Sequence, residues 1–169
     1  MIVCVDAAYS DTASAAAGVI AKSWSDGEPH DTVIVQTATS ADYEPGAFYK
    51  RELPLLEAVI ACMSLRPATV VIDGYVWLGR DGEMGLGAHL HKALENTVPV
   101  VGIAKSAFAH DDWSRPVLRG VSKRPLFVTA VGMACDAAAT LVAGMHGAGR
   151  LPTLVQAADR AARAAVGTR

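Results

Sequence analysis

The chain begins with a series of short apolar segments separated by turn residues, a pattern that limits the folds it can adopt. Residues 2–8 form one such segment, and residues 32–37 form another that is rich in β-branched side chains. The stretch 13–24 between them is mostly small and apolar and leads into a Ser-Asp-Gly-Glu-Pro turn sequence. Segments of this length with short connections predict three antiparallel strands, so we expect the chain to begin with a β-meander.

Helices and strands alternate through the rest of the sequence. Apolar residues recur at helical spacing over 48–65, and the pair Arg66-Pro67 ends that helix. The further elements that we predict are strands at 68–72, 98–104 and 126–131 and helices at 85–95, 136–145 and 154–166. This order predicts an α/β fold with a mixed sheet, an antiparallel β-meander followed by α-β-α-β, flanked by helices. A length of 169 residues predicts a single domain over residues 1–169.

Composition excludes several classes of protein. The chain is 51% hydrophobic with a net charge of −2, which excludes a disordered chain and does not indicate a bulk electrostatic nucleic-acid binder. No apolar run reaches the ~18 residues of a membrane span, and the start of the chain lacks the basic region of a signal peptide. The number and spacing of Cys4, Cys62 and Cys135 fit reduced thiols rather than disulfides or a zinc site. We therefore expect a cytoplasmic protein with no membrane partner.

Three acidic residues lie where the predicted elements would bring them to one edge of the sheet. Asp6 is late in the first strand, Asp73 directly follows the strand at 68–72, and Glu52 is one turn into the helix before that strand. Ligands of α/β sheets gather at the carboxyl ends of strands, and parallel neighbours ending at Asp6 and Asp73 would bring both carboxylates there. Three converging acids form a site for hard divalent cations, which prefer oxygen ligands.

Each acid taken alone has a simpler interpretation. Asp6 and Asp73 are compatible with turn or cap residues, and Glu52 with an acid that interacts favourably with a helix N-terminus. Combined with the element order, however, the three predict a metal site and a fold resembling those of ribonuclease H-like nucleases. Such sites use two divalent ions to activate water and to stabilise the leaving oxygen of a phosphodiester.

Short blocks along the sequence resemble the endonuclease V family, enzymes that cut nucleic acid near deaminated adenine (hypoxanthine, or inosine in RNA). The blocks, in chain order, are Val5-Asp6 with Tyr9-Ser10, Tyr43-Glu44-Pro45-Gly46, Arg51-Glu52-Leu53-Pro54, Val71-Ile72-Asp73-Gly74, residues 99–106, Pro125-Leu126-Phe127-Val128 and Gly149-Arg150-Leu151-Pro152. Because they run from the first residues to Pro152, the resemblance covers nearly the whole chain.

The resemblance implies a cofactor and a set of catalytic residues. It makes Asp6, Glu52 and Asp73 the ligands of Mg²⁺, for which Mn²⁺ is a substitute, and it places Lys105 near the scissile phosphate as a point charge. A surface lysine at a strand end is the alternative for Lys105. The partner that the resemblance implies is DNA or RNA containing deaminated bases.

The resemblance also implies residues that handle the base. Tyr43 would be a wedge that stacks into the gap left by an everted base, which offsets part of the cost of unstacking. Gly46 and Gly74 would let the backbone approach that base, since glycine lacks a Cβ. Ordinary turn chemistry is the alternative for both glycines.

The chain departs from the family pattern at several positions. Residues 75–81 stand where the family has His-Gly-x-x-His-Pro-Arg, so both of those histidines are absent. Gly132-Met133 replaces a later Gly-His pair, and methionine is a poor ligand for magnesium. Asp136 is therefore a candidate further metal ligand, with an acid at a helix N-terminus as the alternative. The acidic Asp42 stands in place of the proline of the wedge loop.

Residues 110–124 form a locally basic stretch where the family has a longer segment. Arg119, Lys123 and Arg124 within it are candidate phosphate contacts, whose contribution to binding would weaken with added salt. A solvated charged loop is the alternative interpretation.

The sequence thus predicts a metal-dependent endonuclease that hydrolyses a phosphodiester near a deaminated base. The absent histidines and Asp42 leave two alternatives open. One is a catalytically weak nucleic-acid-binding homologue, and the other is a ribonuclease H-like nuclease for branched or structured nucleic acid. The sequence leaves both RNA and DNA open as the substrate, and it predicts no oligomeric state.

Overall fold

The computed structural model describes residues 1–38 and 49–167 of the chain. Its strands are β1 (Ile2–Tyr9), β2 (Ser14–Ala21), β3 (Asp31–Thr37), β4 (Thr69–Asp73), β5 (Trp77–Leu78), β6 (Glu83–Met84), β7 (Val100–Ala104), β8 (Arg115–Val117) and β9 (Leu126–Val131). Its helices are α1 (Tyr49–Ala61), α2 (Leu86–Ala93), α3 (Cys135–Ala143) and α4 (Thr153–Ala165). No helix within these two ranges is both long enough and apolar enough to cross a bilayer.

A seven-stranded mixed sheet organises the fold, with the strand order β3-β2-β1-β4-β7-β9-β8. The first three strands form the predicted antiparallel meander. β1, β4 and β7 are parallel neighbours, and β9 and β8 then add antiparallel strands at the far edge. The structure confirms the predicted α/β class and its mixed sheet. The carboxyl ends of β1, β4 and β7 therefore lie side by side at one edge.

Helices cover both faces of this sheet. On one face, α3 and α4 contribute Ala138, Val142, Leu154 and Ala158 to a core that includes Val71 of β4. On the other face, α1 and α2 pack with the neighbouring β4 residues; this second core includes Leu56, Val59, Leu90, Val70 and Ile72. Because β4 is covered on both sides, its apolar residues form a continuous run rather than an alternating pattern, as expected for a central parallel strand.

The structure also contains short elements that the sequence pattern did not predict. β5 and β6 form a two-stranded hairpin in a stretch with no clear periodicity. β8 lies inside the basic stretch 110–124, for which no strand was predicted, and it pairs with β9 at the edge of the sheet. Strands of two or three residues are too short to produce an alternating pattern, so only their pairing defines them.

Candidate metal centre at the strand ends

The parallel pairing of β1 with β4 sets two carboxylates side by side. Val5 pairs with Ile72 at the end of the parallel pairing, so the next residue along each strand places Asp6 beside Asp73. The backbone N–H of Ala7 donates to Asp6 Oδ1 at 2.9 Å, which orients that carboxylate. The strand ends thus bring together two acids that are 67 positions apart in sequence (73 − 6 = 67).

Burial and mutual repulsion raise the pKa values of Asp6 and Glu52. Burial raises the pKa of Asp6 to about 7, and the charges of Asp73 and Asp159 add to the increase. Glu52, in the first turn of α1, is only 8% exposed, and burial raises its pKa to about 8, with further contributions from Asp6 and Asp73. The structure therefore brings Asp6, Glu52 and Asp73 together, and an arrangement that holds carboxyls against their ordinary ionisation is typical of functional sites.

A lysine at the end of the next parallel strand partly neutralises these acids. Lys105 directly follows β7, and its Nζ donates to Asp73 Oδ2 at 2.5 Å. The lysine side chain is about half exposed, so its ammonium group faces solvent at the edge of the site. Lys105 is thus placed where a positive charge acts on both the acids and an incoming anion.

A fourth acid, Asp159 of α4, was missed in the sequence. Its charge raises the pKa of Asp6, and it lines a cavity of about 220 Å³ with Ala7, Ala8 and Tyr9 of β1. Arg163, one turn further along α4, donates from Nε to Asp159 Oδ1 at 2.7 Å. In the sequence Asp159 is one acid in an alanine-rich helix, and only the packing of α4 against β1 connects it to the site.

A larger cavity of about 340 Å³ opens beside Glu52 and Asp73. Its walls are mostly aromatic or apolar, and the residues that line it are Tyr49, Glu52, Asp73, Gly74, Tyr75, Leu78, Glu83, Met84, Gly85, Leu86 and Phe108. Gly74 has φ +148°, a conformation that favours glycine, and no other atom lies within 4 Å of where its Cβ would be. The position predicted to admit a base is therefore an open part of the cavity wall.

Tyr75 joins the two segments that border this cavity. Its hydroxyl donates to the Ser106 carbonyl at 2.8 Å and accepts from the Phe108 N–H at 3.1 Å. The rings of Tyr75 and Phe108 also meet edge to face, with centroids 5.9 Å apart. The loop after β7 is thereby held against the segment after β4.

The remaining predicted site residues lie elsewhere. Asp136 is exposed and forms an ion pair with Arg115 of β8, with 2.6 Å between Oδ1 and Nε, so the structure does not bring it to the three acids. Lys123 and Arg124 are exposed in the turn before β9, where a phosphate could reach them. Tyr43 and Gly46 lie outside the described residues.

Arg119 is buried, not exposed as a phosphate contact would require. It is 4% exposed, and its guanidinium donates to the carbonyl oxygens of Met145, His146, Gly149 and Arg150. A guanidinium engaged in this way is not available to a phosphate, so the predicted contact with nucleic acid is wrong. Its positive charge indicated solvent exposure, but the cluster of carbonyls that buries it forms only in the folded chain.

The donor set can be compared with what a divalent cation requires. Hard cations such as Mg²⁺ take oxygen ligands, and the acids gathered here supply carboxylate oxygens alone. Within residues 1–38 and 49–167, no three His, Cys, Asp or Glu side chains are arranged to enclose an ion. Lys105 instead holds one Asp73 oxygen, and protonation relieves the repulsion at Asp6 and Glu52. The residues thus fit magnesium by the chemistry of their oxygen donors.

The raised pKa of Asp6 makes the stability of the metal-free protein depend on pH. The folded state keeps this proton up to about pH 7, whereas the unfolded state loses it near 3.8, so stability should fall as pH rises through this interval. Asp6→Asn cannot ionise and should avoid this loss. Between pH about 5 and about 8, we expect the free energy of unfolding to fall by about 2 kcal/mol more in the wild type than in this variant.

Urea unfolding with a chelator present measures this difference. Asp81→Asn, which changes an exposed carboxylate, is the control and should follow the wild type. An equal loss of stability in wild type and Asp6→Asn over this pH range would show that Asp6 is not held in its protonated form.

Comparison with known sequences is consistent with this geometry. A family model described as Endonuclease V matches residues 1–140. The Endonuclease V of Streptomyces coelicolor is 31% identical over 191 aligned residues, which cover 96% of this chain and 77% of that protein. Similarity therefore extends through the region of Asp6, Glu52, Asp73 and Lys105.

Solved structures share the fold. The Endonuclease V of Streptomyces avermitilis superposes with a TM-score of 0.76 at 24% identity, covering 98% of this chain and 81% of that one. The Ciona intestinalis Endonuclease V, crystallised with a 24mer DNA containing an inosine followed by a ribo-adenosine, gives a TM-score of 0.80 at 18% identity, covering 98% and 85%. These likenesses establish the common mixed-sheet architecture.

Proposed function

Because this chain belongs to the endonuclease V family, we propose that it is a magnesium-dependent endonuclease that hydrolyses a phosphodiester near a deaminated base. The observation that carries the proposal is the pairing of β1 with β4, which sets Asp6 beside Asp73 with Glu52 buried against them. Such a group of acids has no evident structural purpose, since burying them together is unfavourable.

The chain's own residues have distinct roles in this proposal. Asp6, Glu52 and Asp73 would hold the cation, with Asp159 as a further oxygen ligand on the side of α4. If bound there, Mg²⁺ would lower the pKa of a water molecule and would supply positive charge that stabilises the leaving oxygen. Lys105 binds a phosphate oxygen with its ammonium group, which is already at the edge of the acids and in contact with solvent. The carboxylates must be ionised to bind the cation, so activity should rise with pH.

The 340 Å³ cavity would receive the deaminated base. It opens directly beside Asp73 and Glu52, and the aromatic rings of Tyr49, Tyr75 and Phe108 offer flat apolar surfaces to a purine. The Ciona relative, whose crystal structure contains inosine-bearing DNA, supports hypoxanthine as the base. The roles of Tyr43 as wedge and of Gly46 beside the base remain predictions.

A second candidate function rests on the segment 75–81. Where the family pattern has two histidines, this chain forms a short hairpin in which Trp77 donates to the Ala130 carbonyl at 3.0 Å and lies against Trp113. A segment built for packing supplies no imidazole to the site. A homologue that binds nucleic acid but cleaves it weakly would follow from this change, while a nuclease for branched substrates would keep the metal site and differ in its substrate.

A cleavage panel tests the proposal and separates these candidates. The panel contains RNA and DNA with one inosine, matched strands with adenosine at that position, flaps and four-way junctions, each with Mg²⁺, Mn²⁺ or a chelator. We expect metal-dependent cutting of the inosine strands only. Cutting confined to flaps or junctions would favour the branched-substrate alternative, and binding of inosine strands without cutting would favour the weak homologue.

A further inference from the structure

One guanidinium links the end of β7 to the start of β9. Arg150 Nη2 donates to the carbonyl oxygen of Lys105 and to that of Pro125, the latter at 2.5 Å. Lys105 directly follows β7 and Pro125 directly precedes β9, two antiparallel neighbours whose backbone pairing ends with Ala104 opposite Phe127. Arg150 therefore continues the connection between these strands one step beyond their backbone pairing.

We propose that Arg150 is a positioning residue for Lys105. Lys105 lies outside the strand, so the β7 ladder alone does not fix its backbone, yet its Nζ meets Asp73 Oδ2 at 2.5 Å. Hydrogen bonds from a charged donor are about twice as strong as neutral ones, and the two acceptors here flank separate strands. Arg150 thus fixes the Lys105 carbonyl, while Tyr75 holds the next carbonyl, that of Ser106.

Arg150 is itself held in place by the buried Arg119. The Arg119 guanidinium donates to four carbonyls in the segment that leads to Arg150, including the Arg150 carbonyl itself at 3.2 Å. Gly120 packs so closely against this segment that a Cβ there would lie 1.8 Å from the Ala148 oxygen. A series of contacts therefore runs from β8 through Arg119 and Arg150 to Lys105.

The catalytic meaning of this inference rests on the proposed function, but the effect of Arg150 on the Lys105 side chain can be measured without any cleavage. The chain has five lysines, so an NMR spectrum of protein isotopically labelled at lysine Cε and Nζ contains few signals. The signal that disappears in Lys105→Arg belongs to Lys105. Asp73→Asn provides the reference position for a Lys105 without its partner. In Arg150→Met, we expect the Lys105 signal to move at least halfway to that reference while the other lysine signals stay in place.

Two further variants define what the shift means. Arg66→Met is the matched control, since Arg66 also donates to a main-chain carbonyl, that of Leu94 at 3.1 Å, but away from the site. It should leave the Lys105 signal unchanged. Arg150→Gln keeps a donor that is too short to join both carbonyls and should shift the Lys105 signal as methionine does, whereas Arg150→Lys should restore it in part.

Cleavage kinetics give a second readout. A misplaced Lys105 should lower kcat for an inosine strand by about 10- to 100-fold with little change in KM. A raised KM with unchanged kcat would instead make Arg150 a direct phosphate contact and overturn the proposal. A Lys105 signal that stays at the wild-type position in folded Arg150→Met would also overturn it, whatever the activity. Loss of the folded spectrum in both Arg150→Met and Arg150→Gln would do the same, since it would assign Arg150 a purely structural role.

Discussion

Asp73→Asn should reduce magnesium-dependent cleavage of an inosine strand on the order of 1000-fold, the largest effect that we expect from a single substitution. Asp73 lies at the centre of the site, beside Asp6 in the paired strands and bonded to Lys105. Asparagine keeps the size of the side chain but removes the charge that holds a cation. Single-turnover cleavage with enzyme in excess measures the loss.

Asp136→Asn is the matched control for this substitution. It removes the same charge from an exposed residue that the structure pairs with Arg115, and its cleavage rate should stay close to that of the wild type. Full activity in Asp73→Asn would contradict the account. A large loss in Asp136→Asn would show that Asp136 contributes to the metal site.

Asp159→Asn should lower the cleavage rate on the order of 100-fold. The Asp159 carboxylate raises the pKa of Asp6 from α4, which packs on the face of the sheet opposite the helix that carries Glu52. The loss should be smaller than at Asp73, because Asp159 is shared with Arg163 and lines a separate cavity. The same single-turnover assay measures this effect.

Arg163→Gln distinguishes the effect of the Asp159 carboxylate from the effect of its ion pair with Arg163. This variant removes the guanidinium at 2.7 Å but leaves Asp159 in place. We expect cleavage in Arg163→Gln to exceed that in Asp159→Asn by at least about tenfold. Equal losses in the two variants would mean that the ion pair stabilises α4 and that Asp159 has no role of its own.

The central acids could be predicted because each is tied to a local pattern. Asp6 and Asp73 follow apolar runs that read as strands, and Glu52 lies in the first turn of a periodic helix. Parallel neighbours share an edge, so two strand ends are enough to infer proximity. The same reasoning predicted the mixed sheet.

Asp159 and Arg119 could not be predicted in this way. Asp159 is in a helix whose contact with β1 depends on the packing of small residues, among them Ala8, Ala17 and Ala162, that would fit many partners. Arg119 has a charge typical of the surface, yet it is buried because several carbonyls of one loop converge on it. Both outcomes depend on tertiary contacts that no local pattern encodes.

Calorimetric titration with Mg²⁺ is the sharpest test of the metal site, because it needs neither a substrate nor turnover. The titration is made at a pH one unit above the pKa of Glu52, which is about 8, so that the acids are ionised. We expect saturable binding to the wild type and to Asp136→Asn, and its loss in Asp73→Asn. Absence of binding to the wild type, or unchanged binding in Asp73→Asn, would contradict a metal site at these strand ends.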